Sequence, residues 1–481
     1  MILHENILHH VLPLSSQTRR PTSTSRSRSR QSTPPLSTSR APSPSSKLEQ
    51  TFHLTAGSSH PSPWLSLRVK SNASPSHQHP IYFDKDVVEG SVHLNLSDNP
   101  TSIVGISVIV RGQLFSVGGD HAPFLELSQT LWSSSMGHPS NAGSRQSPFT
   151  GRLSGSYSWP FSIPLPPRVV VGNQSVPLPP TFAPKASSTF IDYKIQVLVQ
   201  RGPLRVNNTL TTSFVYLPRL RAPRPSPLLE AAYQNHSSIL GPSLDSEGWD
   251  VLPARTVPGV IFGARKTSVD CSLSLSQPTR PVRAERRYSD SYEAALPQAR
   301  IYARDCPIHL HITLESYDTQ LLDLLNASSL KIQLVQQVRT QPTTDPAASS
   351  SSSSHPHTVH RLYKADASNN EIEEPVVIGS CWKSFSGAQT GLLQTSNRRH
   401  YEAELIIRKD LKPSFTFPSL SLQYNVQLLI EVTGFVPLQK QRPVFSEPVT
   451  IVTDRPRGPL PSSQVPPPYH HHPSSSASAS Q

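Results

Sequence analysis

From residue 65 onward the chain alternates apolar and polar positions with a period of two, broken by clusters of Gly, Pro, Asn and Ser. Leu65, Leu67 and Val69 alternate with polar neighbours, and the same rhythm returns over residues 88–96, 106–110, 157–163, 193–199 and 210–216. Period two sends alternate side chains to opposite faces of an extended chain, so each segment predicts a strand with one buried face. The pattern resumes after residue 245, over 269–275, 308–315, 330–338, 401–408, 421–432 and 448–452. Helical spacing competes only at 319–325. Pro218-Arg219-Leu220-Arg221-Ala222-Pro223-Arg224-Pro225 reads as a stiff basic linker between the halves. Three Ser- and Pro-rich stretches, 118–152, 277–298 and 340–356, read as surface insertions. These elements predict an all-β chain of two tandem immunoglobulin-type β-sandwiches, 63–220 and 246–455. A linker at 221–245 joins them, and disordered tails at 1–62 and 456–481 flank them.

Composition sharpens this picture. A 481-residue chain with 35% apolar residues and 50 prolines fits two or three ordered domains interrupted by Pro/Ser-rich loops. No run approaches the ~20 apolar residues that a membrane-spanning helix needs. Residues 1–14 combine an acid with several His and no basic flank, so a secretory signal is not expected there. Cys271, Cys306 and Cys381 lack C-x-x-C spacing, and an odd number leaves one unpaired, which fits a reducing compartment. Cys271 is in phase with Val269, Leu273 and Leu275, and Cys306 with Ile308, Leu310 and Ile312. Both therefore read as inward-facing strand residues. Net charge is +12, of which residues 1–60 supply seven basic side chains against two acids, 7 − 2 = +5. The Arg/Ser run at 25–30 stops after three repeats, with no aromatic-studded basic stripe beside it. A solvated, phosphorylatable tail is expected, and nucleic acid is not.

Candidate chemistry is concentrated near the C-terminal end. Pro466-Pro467-Pro468-Tyr469 matches the PPxY pattern and resembles a WW-domain ligand. Its prolines pre-set φ near polyproline II, so docking on an aromatic groove orders little, and the tyrosine anchors the register. The chain contains no G-x-S-x-G elbow, Walker loop, G-x-G-x-x-G or H-E-x-x-H, so no catalytic residues, cofactor or enzyme activity are expected. His355, His357, His360 and His470-His471-His472 sit in low-complexity sequence without a carboxylate pattern, and no metal is expected there. Arg286-Arg287-Tyr288-Ser289 and Arg265-Lys266-Thr267-Ser268 place basic pairs ahead of a serine, the charge pattern that basophilic kinases read. Ser289 and Ser268 are thus candidate phosphosites, with Thr22 after Arg19-Arg20 a weaker third. Among twelve lysines, Lys409, Lys412 and Lys440 lie in the half nearest the tail and are candidate ubiquitin acceptors. Arg219, Arg221 and Arg224 in the linker, with Arg280, Arg283, Arg286 and Arg287 in the insertion at 277–298, read either as solvated loop residues or as contacts for acidic tails or anionic lipid.

The order of several motifs resembles the arrestin superfamily over roughly residues 63–455. Val87 to Leu96 is followed by Gly155-Ser156-Tyr157-Ser158-Trp159-Pro160-Phe161, then Leu178-Pro179-Pro180-Thr181-Phe182 and Ile191-Asp192-Tyr193. In the second half Trp249, Gly259-Val260-Ile261-Phe262-Gly263 and Cys306-Pro307-Ile308-His309-Leu310 are similar to the opening of the arrestin C-domain. Phe415-Thr416-Phe417-Pro418 and Tyr424 are similar to its close. With a C-terminal PPxY the layout resembles the α-arrestins, the arrestin-related trafficking adaptors. That resemblance implies a cytoplasmic adaptor, working peripherally at plasma membrane and endosomes. It would bring a WW-domain HECT-type ubiquitin ligase, and through it ubiquitin, to membrane transporters or receptors for endocytosis. It also implies 14-3-3 proteins as readers of phosphorylated Ser289. This chain shows one clear PPxY where several members of that family carry two. A scaffold of the retromer-subunit type, acting without a ligase, is the alternative.

Overall fold

The computed structural model describes residues 47–56, 62–97, 100–115, 122–140, 147–184, 189–202, 205–277, 300–340, 370–384, 395–438 and 442–466. Strand dominates, and the strands form two successive sandwiches. In the first, a sheet ordered β1 (Leu48–Ala56), β2 (Ser62–Ser71), β4 (Val87–Asn95), β7 (Ser156–Pro164) packs against a second sheet. That second sheet runs β3 (Ile81–Phe83), β11 (Asn208–Leu217), β10 (Phe190–Gln200), β5 (Gly105–Phe115), β6 (Ala122–Ser133). A small ribbon, β8 (Arg168–Val171) with β9 (Gln174–Pro177), lies beside them.

In the second sandwich one sheet runs β19 (Ser380–Lys383), β20 (Arg398–Ile406), β16 (Pro307–Glu315), β14 (Arg265–Ser276), β13 (Arg255–Ile261), β23 (Phe435–Pro437). Strand β12 (Trp249–Val251) also pairs with β14. The other sheet runs β15 (Arg300–Ala303), β24 (Phe445–Val452), β22 (Leu420–Ile430), β17 (Leu330–Thr340), β18 (Asn370–Ile378), with β21 (Phe415–Phe417) on β22. Helix α1 (Pro227–Asn235) lies in the linker, and the short α2 (Thr319–Leu324) coincides with the one helical pattern in the sequence. Among the described residues no helix is long and apolar enough to cross a membrane.

The inward positions read from the alternation form the core. Leu65, Leu67, Val69, Val197, Cys271, Leu273 and Leu275 are all fully buried, each such apolar side chain contributing about 1.5–3 kcal/mol of transfer energy. One apolar cluster runs through both sandwiches. They meet through aromatic rings: Phe182 lies 5.3 Å from Phe415, and Phe124 lies 5.0 Å from Phe417. Gly112 makes room for that second contact, because a Cβ there would stand 2.6 Å from the Phe124 ring.

Strands β1 and β6 and helix α1 lie where the alternation pointed to none, as do strands β3, β8, β9, β12, β13, β15, β18, β19, β21 and β23. Strand β1 occupies part of the stretch read as a disordered tail. It is an edge strand whose Phe52 and Leu54 are only half-buried, and its register is set by β2, with Phe52 opposite Leu67. Strand β6 occupies part of the stretch 118–152 read as an insertion. Its ladder with β5 shifts register twice, between Ile106 and Ser107 and between Gly112 and Gln113, which scrambles a period-two signal. Helix α1 sits in the linker; Ser226 caps it by accepting from the Leu229 N–H at 3.1 Å, and Pro227 occupies its first turn.

Candidate functional site: the tail and the face beneath it

Strand β16 is buried on both faces. Ile308, Leu310, Ile312 and Leu314 enter the core, as period two requires. His309 and His311 point the other way, where the pattern alone puts water, yet they are only 4% and 6% exposed. Three neighbours cover them. Tyr233 of α1 meets His309 Nε2 through its hydroxyl at 2.9 Å, and Trp249 of β12 packs edge-on against His311 at 4.5 Å. The third cover is the chain that follows β24.

That chain crosses from one element to the next. The Thr453 hydroxyl donates to the Pro218 carbonyl at 2.5 Å, and the Asp454 N–H donates to the Leu220 carbonyl at 2.8 Å. Arg455 pairs with Asp305. Pro456 and Pro461 then lie over a pocket of about 50 Å³ whose floor includes Leu229, Tyr233, Tyr302 and Cys306. Gly458 (φ 128°) passes Glu230 so closely that a Cβ would stand 2.7 Å from its carboxylate. Finally the Gln464 N–H donates to Glu404 Oε2 at 2.8 Å.

Glu404 sits on β20, opposite His309 in the ladder, with His309 Nδ1 3.4 Å from its Oε2. A carboxylate only accepts, so Nδ1 carries the shared proton and Nε2 faces the Tyr233 hydroxyl. Glu404 is 1% exposed, and a carboxylate so placed is costly unless it is paired and hydrogen-bonded. Burial pushes its pKa up, but His309, the Gln464 N–H and the Ser463 hydroxyl outweigh that, and the net direction is down. His311 is pushed down to about 3 by burial, then by His309 and His400, which keeps its imidazole neutral. While α1 and the tail lie over this face, the cluster reaches no substrate. What it does chemically is accept a backbone N–H of the tail.

Of the sequence-derived site candidates, Pro466, Ser268, Lys409 and Lys412 are among the described residues. Pro466 is the last described residue before the C-terminal end and is half-buried; Pro467, Pro468 and Tyr469 lie outside the described residues, as do Ser289 and Lys440. Ser268 is exposed on β14, opposite Pro258 of β13. The Arg265 that precedes it is held by Asp318 at 2.8 Å and by Gln320 at 2.9 Å. Lys409 is 77% exposed, 3.5 Å from Asp305, whereas Lys412 is half-buried, its pKa lowered by burial and then by Arg304. Arg219 lies 3.9 Å over the Phe83 ring and Arg221 pairs with Asp454, so two of the three linker arginines serve the fold. Burial raises the three thiols, Cys271 and Cys381 to about 12 and Cys306 to about 11, which leaves none as a ready thiolate.

His309, Glu404, Tyr233 and Gln464 were not among the sequence candidates. Their signal was faint: two histidines in phase with each other on a strand, opposite a glutamate on a strand far along the chain. No protein-family model and no curated protein sequence matches the chain.

Proposed function

We propose that the chain is an adaptor whose folded body engages a membrane transporter or receptor while its tail recruits a WW-domain HECT-type ubiquitin ligase. The observation that carries the reading is Pro466-Pro467-Pro468-Tyr469, which follows two β-sandwiches and begins at the last described residue of the tail. The motif order that resembles the α-arrestins supports it. Two of those motifs also meet in space: Phe182 of the L-P-P-x-F segment packs on Phe415 of the closing segment, and the Tyr193 hydroxyl donates to the Pro179 carbonyl at 2.5 Å.

The mechanism is effective concentration. A modest tail contact beside a modest cargo contact holds ligase and cargo lysines together at about millimolar local concentration, which neither contact achieves alone. Lys409, exposed on the body, is the described candidate best placed to receive ubiquitin on the adaptor itself. Action takes place at the cytoplasmic side of plasma membrane and endosomes, with 14-3-3 capture of phosphorylated Ser289 as the off-state.

Affinity capture with wild type and Tyr469→Ala, side by side, tests this reading. Loss of the tyrosine anchor removes about 2 kcal/mol or more, roughly a thirtyfold loss of ligase capture, with thermal stability unchanged. Equal capture by both proteins overturns the ligase adaptor and favours a ligase-independent scaffold.

A further inference from the structure

We propose that residues 456–466 form a strap whose Gln464–Glu404 hydrogen bond clasps the start of the PPxY motif to the second sandwich, so that WW-domain capture competes with strap docking. The inference rests on reading that motif as a WW ligand. It says how access to the ligand is controlled.

The geometry is specific. The Gln464 N–H reaches a carboxylate that is itself fully buried and fixed from behind by His309, which Tyr233 orients in turn. Pro456 and Pro461 seat the strap over the α1 pocket, and Arg455 ties its root to Asp305. From 463 to 466 the strap alternates exposed and half-buried residues, Gln464 and Pro466 being the half-buried ones. Pro466 is thus both the first residue of the motif and half-buried, two residues beyond the clasped Gln464 amide.

A WW domain must close around that proline. Two residues of extended chain reach at most about 7 Å, so a domain gripping Pro466 sits within that distance of the clasped Gln464 amide. A module of about 35 residues has a radius of gyration of about 8 Å, which overlaps the sandwich surface unless the strap lifts. Binding therefore draws on the undocked fraction of the tail, and apparent affinity falls by that fraction. A hydrogen bond to a charged acceptor is strong enough to make the effect about tenfold or more.

The test titrates one isolated WW domain of a HECT-type ligase into the full chain, its Gln464→Pro and Glu404→Gln variants, and a peptide of residues 459–481. Gln464→Pro deletes the donor N–H without touching the sandwiches or the four motif residues, so folding of the body is not at risk. The expected result is that the peptide binds about tenfold tighter than the full chain. Gln464→Pro should then restore most of that difference, and Glu404→Gln part of it. Equal affinity of peptide and full chain, or an unchanged affinity in Gln464→Pro, overturns the clasp. Hydrogen exchange at the Gln464 amide reads docking without any ligand: protection in wild type and weaker protection in Glu404→Gln are expected, and free-peptide exchange in wild type refutes the strap. A protected amide beside a peptide that binds no WW domain sinks the WW reading, and with it the competition, while strap docking stands.

Discussion

Strands β2 and β16 hold equivalent inner places, each hydrogen-bonded on both sides within one sheet of a sandwich, yet they treat their outward positions oppositely. On β2, Leu65, Leu67 and Val69 are buried while Arg68 and Lys70 are exposed, a clean alternation between core and water. On β16 the outward His309 and His311 are as buried as the inward leucines, because α1, Trp249 and the tail roof that face. The outward polar residues of β2 are therefore solvated, whereas those of β16 must find protein partners. That is why a His–Glu–Tyr cluster exists there, and why the tail has something to bind.

The largest expected break in this contrast comes from matched histidine deletions. His93 of β4 is half-buried and bonded to Ser91 at 2.8 Å, so His93→Ala should change stability by less than about 0.5 kcal/mol. His309→Ala leaves the buried Glu404 carboxylate without its imidazole and should cost about 3 kcal/mol. Denaturant midpoints at constant m-value check the pair, and equal shifts would show that the roof over β16 has no energetic weight.

Acid should sharpen the contrast further. The His311 pKa is pushed down to about 3 in the fold, while the unfolded imidazole titrates near its ordinary value of about 6.5. Between those values the unfolded state holds more protons, so this contribution is complete above about pH 6.5 and is lost as pH falls toward about 3. Near pH 5.5 the loss is about 1.4 kcal/mol. His311→Gln cannot titrate and should show a correspondingly smaller drop in denaturation midpoint between about pH 7.5 and pH 5.5; an identical drop refutes the assignment.

The smallest effect tests the roof itself. The Ser226 hydroxyl accepts from the Leu229 N–H and donates to Asp245 at 2.5 Å. Ser226→Ala should cost about 1 kcal/mol and speed amide exchange through α1, with little change over β2. Undisturbed exchange in α1 would mean that packing of Leu229 and Tyr233 holds the helix without its cap.

Cys306, read as an inward strand residue, lies just before β16 in a separate small cluster with Ala222, Ala303 and Val452. Local pattern alone carried the β2-type strands, the inward Cys271, the all-β sandwich class and α2. Each depends on a residue's nearest neighbours and on which face meets the core, and those are periodicities of one segment. Strand β1 escaped because its half-buried residues take their register from β2, and β6 because two register shifts broke its alternation. The cluster under the tail escaped for a different reason. Tyr233, His309, Glu404 and Gln464 come from four separate stretches of chain, and each alone is an unremarkable polar residue at a solvent-facing place. Pairing β16 with β20 sets His309 opposite Glu404, and the linker helix and tail folding back over them exclude the water that period two had promised. Alternation along a strand records which positions leave the core; what meets them on the far side is fixed by long-range packing, which no local spacing encodes.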